Sequence, residues 1–239
     1  MIPPAIDIQS LSFQYPDGRQ ALHEVSLRIE ERERVALVGP NGSGKSTLLL
    51  HLNGILRAAS GTIHVGGLPV SDDHLGQIRA WVGLTFQDPD DQLFSPRVYE
   101  DVAFGPLHMG LPEAEVRARV ERALAAIGMS EYADRISHHL SIGEKKRVAL
   151  ATVLSMDTRI LALDEPSAGL DPRARRRLID LLRTFEQHTL LISTHDMRLA
   201  RDLCTRVIVL DEGRVVADGE ASAILSDQAL LEQHGLELP

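Results

Sequence analysis

At 239 residues, with 44% hydrophobic and 25% charged residues, the chain has the balance of an ordinary globular protein and length for one large domain carrying an inserted subdomain. Its formal net charge of −9 argues against a broad nucleic-acid surface, which needs a basic face to displace phosphate counterions. No run approaches the roughly 18 consecutive apolar residues of a membrane-spanning helix, and the start MIPPAIDIQS lacks a basic and then apolar signal region, so a cytoplasmic location is expected.

In chain order, Ile6 to Glu30 reads as two antiparallel strands around the turn PDG, with Val25, Leu27 and Ile29 alternating with polar neighbours. Short apolar runs then recur as VALV at 35–38, WVGLTF at 81–86, ILAL at 160–163, LLIS at 190–193 and VIVL at 207–210. Helix-like stretches separate them, which predicts a largely parallel sheet covered by helices. Between Gln87 and Met156 the pattern is mainly helical: Val116, Val120, Leu124 and Ile127 stand at helical spacing behind the acidic first-turn residues Glu113 and Glu115. This stretch, about 87–156, is expected to form an inserted helical subdomain. VIVLDEGRVVADG reads as a closing hairpin, leaving a short tail at 220–239 after a domain spanning 1–219.

The strongest chemical signal is Gly39, Pro40, Asn41, Gly42, Ser43, Gly44, Lys45 and Ser46, which fits the phosphate-loop pattern G-x-x-x-x-G-K-[ST] between the VALV strand and a helix starting near Lys45. Its glycines let backbone N–H groups close around phosphate oxygens. The helix N-terminus adds partial positive charge, Lys45 reaches the outer phosphates, and Ser46 can ligate Mg²⁺. This loop alone does not separate a kinase, a GTPase or a transport ATPase. Asp164 and Glu165 follow the ILAL strand at the end where α/β proteins bind ligands. There Asp164 suits support of Mg²⁺ and Glu165 suits polarisation of an attacking water, since phosphoryl transfer needs positioning and charge neutralisation. Ser141-x-x-Glu144, before the helix-like KKRVALATVLSM, reads as a capping box, and a capped helix start still offers donors and dipole to an anion.

In this order the motifs resemble the ABC ATPase family over nearly the whole chain. LSIGE resembles the signature LSGGQ, DEPSAGLD the Walker B and D-loop run, Gln87 after LTF the Q-loop, and Thr194-His195 after LLIS the H-switch. Tyr15 resembles the aromatic that stacks on adenine. The resemblance implies a RecA-like P-loop NTPase core with an N-terminal antiparallel β subdomain and the inserted helical subdomain. It implies ATP contacts at Tyr15, at Gly39 to Ser46, at Thr47, and at Ser141 and Gly143; catalysis by Glu165, His195 and Gln87; and Mg²⁺ at Ser46, Gln87 and Asp164. It further implies that two copies meet head to tail, with ATP between the phosphate loop of one and Ser141, Ile142 and Gly143 of the other; a homodimer is the simplest assembly. Ile142 stands where the family has glycine, and Glu144 where it has glutamine.

FQDPDDQLFSPRVYEDVAFGP and LSIGEKKRVALATVLSM resemble more narrowly the ATPases of energy-coupling-factor transporters, particularly the cobalt and nickel branch. That resemblance implies a transmembrane coupling protein and a substrate-binding membrane subunit as partners, no nucleic acid, and a peripheral place on the cytoplasmic membrane face. Cobalt leads as cargo, nickel follows, and biotin or another vitamin is third; a non-transport ABC switch is the rival reading. Asp88 to Gln92 reads otherwise as a solvated acidic turn. His138-His139 lacks the spacing of a metal site, Arg173, Arg175, Arg176 and Arg177 read as a solvated helix face after Asp171-Pro172, and Cys204 reads as a buried residue with no chemistry.

Overall fold

The computed structural model describes residues 3–239. β1 (Ile6–Gln14) and β2 (Gln20–Ile29) pair antiparallel, their inward residues Ile6, Ile8, Leu11 and Phe13 meeting Leu22, Val25, Leu27 and Ile29. The chain crosses to β3 (Arg34–Val38) and α1 (Lys45–Leu52), then returns as β4 (Ser60–Val65) and β5 (Leu68–Pro69). The antiparallel sheet is therefore four-stranded, ordered β2-β1-β4-β5, and extends beyond the two strands expected from 6–30. In β4 only Ile63 and Val65 turn apolar side chains inward, too short an alternation to stand out in a sequence.

α2 (Leu75–Trp81) leads directly into β6 (Val82–Thr85), so Trp81 closes a helix instead of opening the strand; Arg159 lies over its ring at 4.7 Å. Helices α3 (Val98–His108), α4 (Glu113–Ala126) and α5 (Ile142–Leu154) follow; a short turn joins the first two, and a longer connection with 3-10 turns at Ser130–Tyr132 and Ser137–His139 leads to the third. In α4, Val116, Val120 and Leu124 form the buried stripe that their spacing requires. β7 (Ile160–Asp164), α6 (Pro172–Arg183), β8 (Thr189–Thr194), α7 (Met197–Leu203), β9 (Arg206–Asp211) and β10 (Arg214–Glu220) complete the main sheet.

That sheet is ordered β10-β9-β3-β8-β7-β6, parallel except for β10, which pairs antiparallel with β9. Alternate residues on its strands feed two cores. Val38, Leu161, Leu163, Ile192 and Val209 join the helical side, while Leu37, Ile160, Ala162, Leu191 and Ile208 join the side of α1 and the antiparallel sheet. Burial on both faces explains why these strands read as continuous apolar runs. Beyond Glu220, α8 (Ala221–Ile224) and α9 (Gln228–Gln233) pack back on the helical side. Leu225, Leu231 and Leu236 enter that core, and His234 Nδ1 meets Asp211 at 2.8 Å. Among the described residues, no helix is long and apolar enough to cross a membrane.

Candidate functional site

The site lies at the carboxyl ends of β3, β7 and β8, where helices and loops splay apart in a parallel sheet. Between β3 and α1 the chain turns tightly. A Cβ at Gly39 would collide with the Leu210 carbonyl, and one at Gly44, whose φ is 105°, would lie 2.6 Å from the Ala21 carbonyl oxygen. Only glycine fits both places. The loop is pinned by Ser43 N–H to Pro40 O at 3.2 Å and Gly213 N–H to Ser43 O at 3.0 Å. No acidic residue occupies the first turn of α1, so its positive end is unopposed.

Lys45 folds back onto this loop, its Nζ donating to Gly39 O at 2.7 Å and Pro40 O at 3.0 Å. Burial lowers its pKa, while the charges of Glu165 and Asp164 pull it back up. An arriving anion therefore meets an ammonium held only by two neutral carbonyls. Ser46 is exposed at the helix start. Thr47, one residue on, is hydrogen-bonded through Oγ1 to the Tyr15 hydroxyl at 3.0 Å, and Phe13 packs edge-on against the Tyr15 ring at 5.0 Å. Tyr15 thus lines one cavity with Gly42, Gly44, Lys45, Ser46 and Thr47, with Arg19 over one ring face at 4.8 Å.

Asp164 ends β7 in register with Ser193 of β8, whose hydroxyl donates to Asp164 Oδ1. Glu165 follows with φ 44°, a left-handed conformation uncommon for a residue with a Cβ. Its N–H donates to Ser193 O at 3.0 Å, and its buried carboxylate presents Oε2 to Nδ1 of the exposed His195 at 2.9 Å and to Thr194 Oγ1 at 3.4 Å. Gln87 leaves β6 with an exposed side chain; its backbone carbonyl, like that of Glu165, accepts from Lys146 Nζ.

Ser141 is the N-cap of α5, and both halves of the capping box form: Glu144 N–H to Ser141 Oγ at 3.4 Å and Ser141 N–H to Glu144 Oε2 at 2.9 Å. The hydroxyl and amide of Ser141, joined by the Tyr132 hydroxyl, hold the Glu144 carboxyl below the usual carboxylate range. Ser141 and Gly143 line a depression with Leu170, Asp171 and Ala174. Gly39, Pro40, Asn41 and His195 line another, of about 620 Å³, and among the described residues Leu170 alone borders both. Within one chain, then, the capped helix start and the phosphate loop face different spaces.

Residues without a local motif also build the site: Ser193 orients Asp164, and Lys146 touches the backbone of two motifs. Asp90 of the acidic turn is bound by Lys145 at 2.6 Å, so that turn is tied to α5 and is not merely solvated. Arg173, Arg176 and Arg177 are exposed on α6, but Arg175 departs from the expected solvated face by pairing with Asp196 at 3.1 Å, beside His195. His138 and His139 are exposed, and burial pushes the Cys204 thiol up to about 12.

Residues 22–168 match the ABC transporter family profile. The chain belongs to the ABC transporter family. It is 49% identical over 238 residues to the energy-coupling factor transporter ATP-binding protein EcfA of Methanothermobacter thermautotrophicus, covering 98% of this chain and 76% of that one. It is also 49% identical over 240 residues to the cobalt import ATP-binding protein CbiO of Rhodobacter capsulatus, covering 99% and 86%. The solved structure of CbiO1 from Clostridium perfringens, part of the ABC transporter complex CbiONQ, superposes with a TM-score of 0.85 at 40% identity, covering 99% of this chain and 96% of the other. The ABC protein described here is accordingly an ATP-binding, ATP-hydrolysing subunit of the energy-coupling-factor type, with the P-loop NTPase fold.

Proposed function

We propose that two copies of this chain bind MgATP between them and hydrolyse it to drive uptake of a divalent transition-metal ion, cobalt foremost and nickel next, through membrane partner subunits. The observation that carries the reading is the convergence of Lys45, Asp164, Glu165 and His195 at adjacent strand ends, with Glu165 Oε2 already 2.9 Å from His195 Nδ1. Amides of 39–44 and Lys45 hold the β- and γ-phosphates while the Tyr15 ring carries adenine, on the face away from Arg19 or after that exposed side chain swings off. Glu165 accepts the proton of the attacking water, and His195, on the same carboxylate oxygen, orients it and contacts the γ-phosphate side. Ser46, Gln87 and the free Oδ2 of Asp164 are hard oxygen donors suited to Mg²⁺, which would neutralise phosphate charge there. No group of three His, Cys, Asp or Glu side chains capable of caging a metal occurs among the described residues.

The dimer is supported by the separation of the cavities: Ser141 and Gly143 line a depression apart from those lined by Gly39 to Asn41 and by Lys45, an arrangement suited to a nucleotide on Lys45 that meets Ser141 and Gly143 of a second copy. A Cβ on Gly143 would come no closer than 3.5 Å to the described residues packed against its helix, Leu170 being the nearest, so internal packing does not demand glycine there, whereas a close outside ligand would. Partner docking is supported by Phe94, Phe104, Leu107 and Ile136, large apolar side chains left exposed around the segment after Gln87, with Phe94 and Phe104 in edge contact at 4.8 Å. A coupling protein seated there would place this chain on the cytoplasmic membrane face. The cobalt assignment rests on the narrow resemblance around Gln87 and the signature, and on the likeness to a relative named for cobalt import. Reconstitution of the complex in vesicles tests it: ATP-dependent uptake of labelled cobalt or nickel, absent with Lys45→Ala, is expected. Biotin uptake without metal uptake would overturn the cargo and leave the motor standing.

A further inference from the structure

Lys146 sits in the first half of α5 and is only 8% exposed, yet neither the capping box nor the nucleotide contacts proposed above use it. A lysine ammonium out of water is unfavourable unless its protons find acceptors. Here Nζ donates to the carbonyl oxygen of Gln87 at 3.1 Å and to that of Glu165 at 2.9 Å. Those carbonyls leave neighbouring parallel strands, β6 and β7, so one side chain of α5 spans the two loops that carry Gln87 and Glu165. Burial lowers the Lys146 pKa, and the carboxylates of Glu165, Asp164 and Asp88 offset part of that.

The contact at Glu165 bears on a strained peptide. With φ at 44°, Glu165 holds its conformation because its N–H is tied to Ser193 O at 3.0 Å and its carbonyl receives both Lys146 Nζ and Ala168 N–H, the latter at 3.1 Å. This backbone setting aims the carboxylate at His195. The segment after β6 is fastened to α5 by two further links. Lys145 binds Asp90, and Gln92 Nε2 donates to Ala149 O at 3.0 Å and Thr152 Oγ1 at 2.7 Å. Lys146 extends that fastening from α5 to the catalytic strand end.

We propose that Lys146 is a positioning residue for ATP hydrolysis. By holding the Glu165 and Gln87 carbonyls with one buried ammonium, it keeps the Glu165 carboxylate aligned and ties that alignment to α5, whose start carries Ser141 and Gly143. The proposal rests on Glu165 acting as the base, and its test separates the two. Lys146→Met keeps the length of the side chain and removes the donor; Lys146→Arg keeps charge and donors. In steady-state ATPase assays of the full chain, Lys146→Met lowers kcat by roughly ten- to a hundredfold, the scale of one hydrogen bond from a charged donor. Its KM for ATP and its affinity for a fluorescent ATP analogue change by less than about twofold, because no nucleotide contact is lost. Lys146→Arg recovers most of the rate. A purely structural role would instead lower the melting temperature and change KM together. Should Lys146→Met fail to fold, Lys146→Gln, whose amide ends one atom short of the Nζ position that bridges the two carbonyls, takes its place under the same criteria. A folded Met or Gln variant with parental kcat, or an Arg variant as slow as the Met variant, overturns the proposal. Glu165→Gln run alongside distinguishes the failures: parental turnover in that variant removes the base and this proposal with it, whereas an inactive Glu165→Gln beside a fully active Lys146→Met defeats the role of Lys146 alone.

Discussion

Glu165→Gln is the sharpest perturbation of the proposed chemistry, because it changes one proton acceptor and almost no volume. The residue is 5% exposed and its Oε2 is shared by His195 Nδ1 at 2.9 Å and Thr194 Oγ1 at 3.4 Å, so a glutamine oxygen can still accept there and the fold should persist. Loss of a general base costs about 10²- to 10⁴-fold in rate, or roughly 3–5 kcal/mol in the barrier. The contacts proposed for Lys45, Ser46 and the loop amides with nucleotide are untouched, so the variant should bind MgATP and accumulate as an ATP-bound dimer. Phosphate release measures the first effect and sedimentation with saturating MgATP the second. A further consequence follows from charge. Glu165 is the larger of the two carboxylate influences that raise the Lys45 pKa against burial, so neutralising it lets that pKa fall further. Lys45 then loses its proton at a lower pH, and the alkaline decline of ATP affinity in Glu165→Gln should begin at lower pH than in the parent. A variant that stays monomeric under saturating MgATP, or turns over at the parental rate, refutes the assignment.

Tyr15→Ala should raise the KM for ATP by roughly fivefold, the equivalent of about 1 kcal/mol of ring stacking, with kcat nearly intact; Tyr15→Phe, losing only the bond to Thr47, should do less, and an unchanged KM in the alanine variant removes Tyr15 from the site. Ser141→Ala should destabilise the chain by about 1 kcal/mol in urea unfolding at neutral pH through loss of the helix cap. The Glu144 carboxyl is held below the usual carboxylate range, first by the Ser141 hydroxyl. Its contribution is therefore complete above the pKa of the unfolded chain and lost as pH falls through the lowered folded pKa. The gap between parent and Ser141→Ala should narrow on acidification, and a gap that stays constant or widens contradicts the capping role.

What the sequence by itself determined is what neighbouring residues decide among themselves. Gly39 to Ser46 announces its loop because only glycine tolerates the backbone there, and Ser141 with Glu144 announces a cap because three residues span the first helical turn. The apolar runs at 35–38, 160–163, 190–193 and 207–210 announce buried strands because a parallel sheet is covered on both faces. Resemblance then supplied the ordering of Gln87, the signature, Glu165 and His195 that local chemistry alone leaves open. The tertiary structure decided which of these meet. β4 and β5 complete a sheet begun some fifty residues earlier on the strength of two inward side chains, and Trp81 was drawn from the strand run into a helix end under Arg159. Asp164 finds Ser193 through the register of β7 on β8, Arg175 finds Asp196, and Lys146 finds the carbonyls of Gln87 and Glu165. None of those partners is within a helical turn of the other in sequence. Such pairings have no local signature because their stability comes from burial and donor satisfaction, which exist only after distant segments have packed.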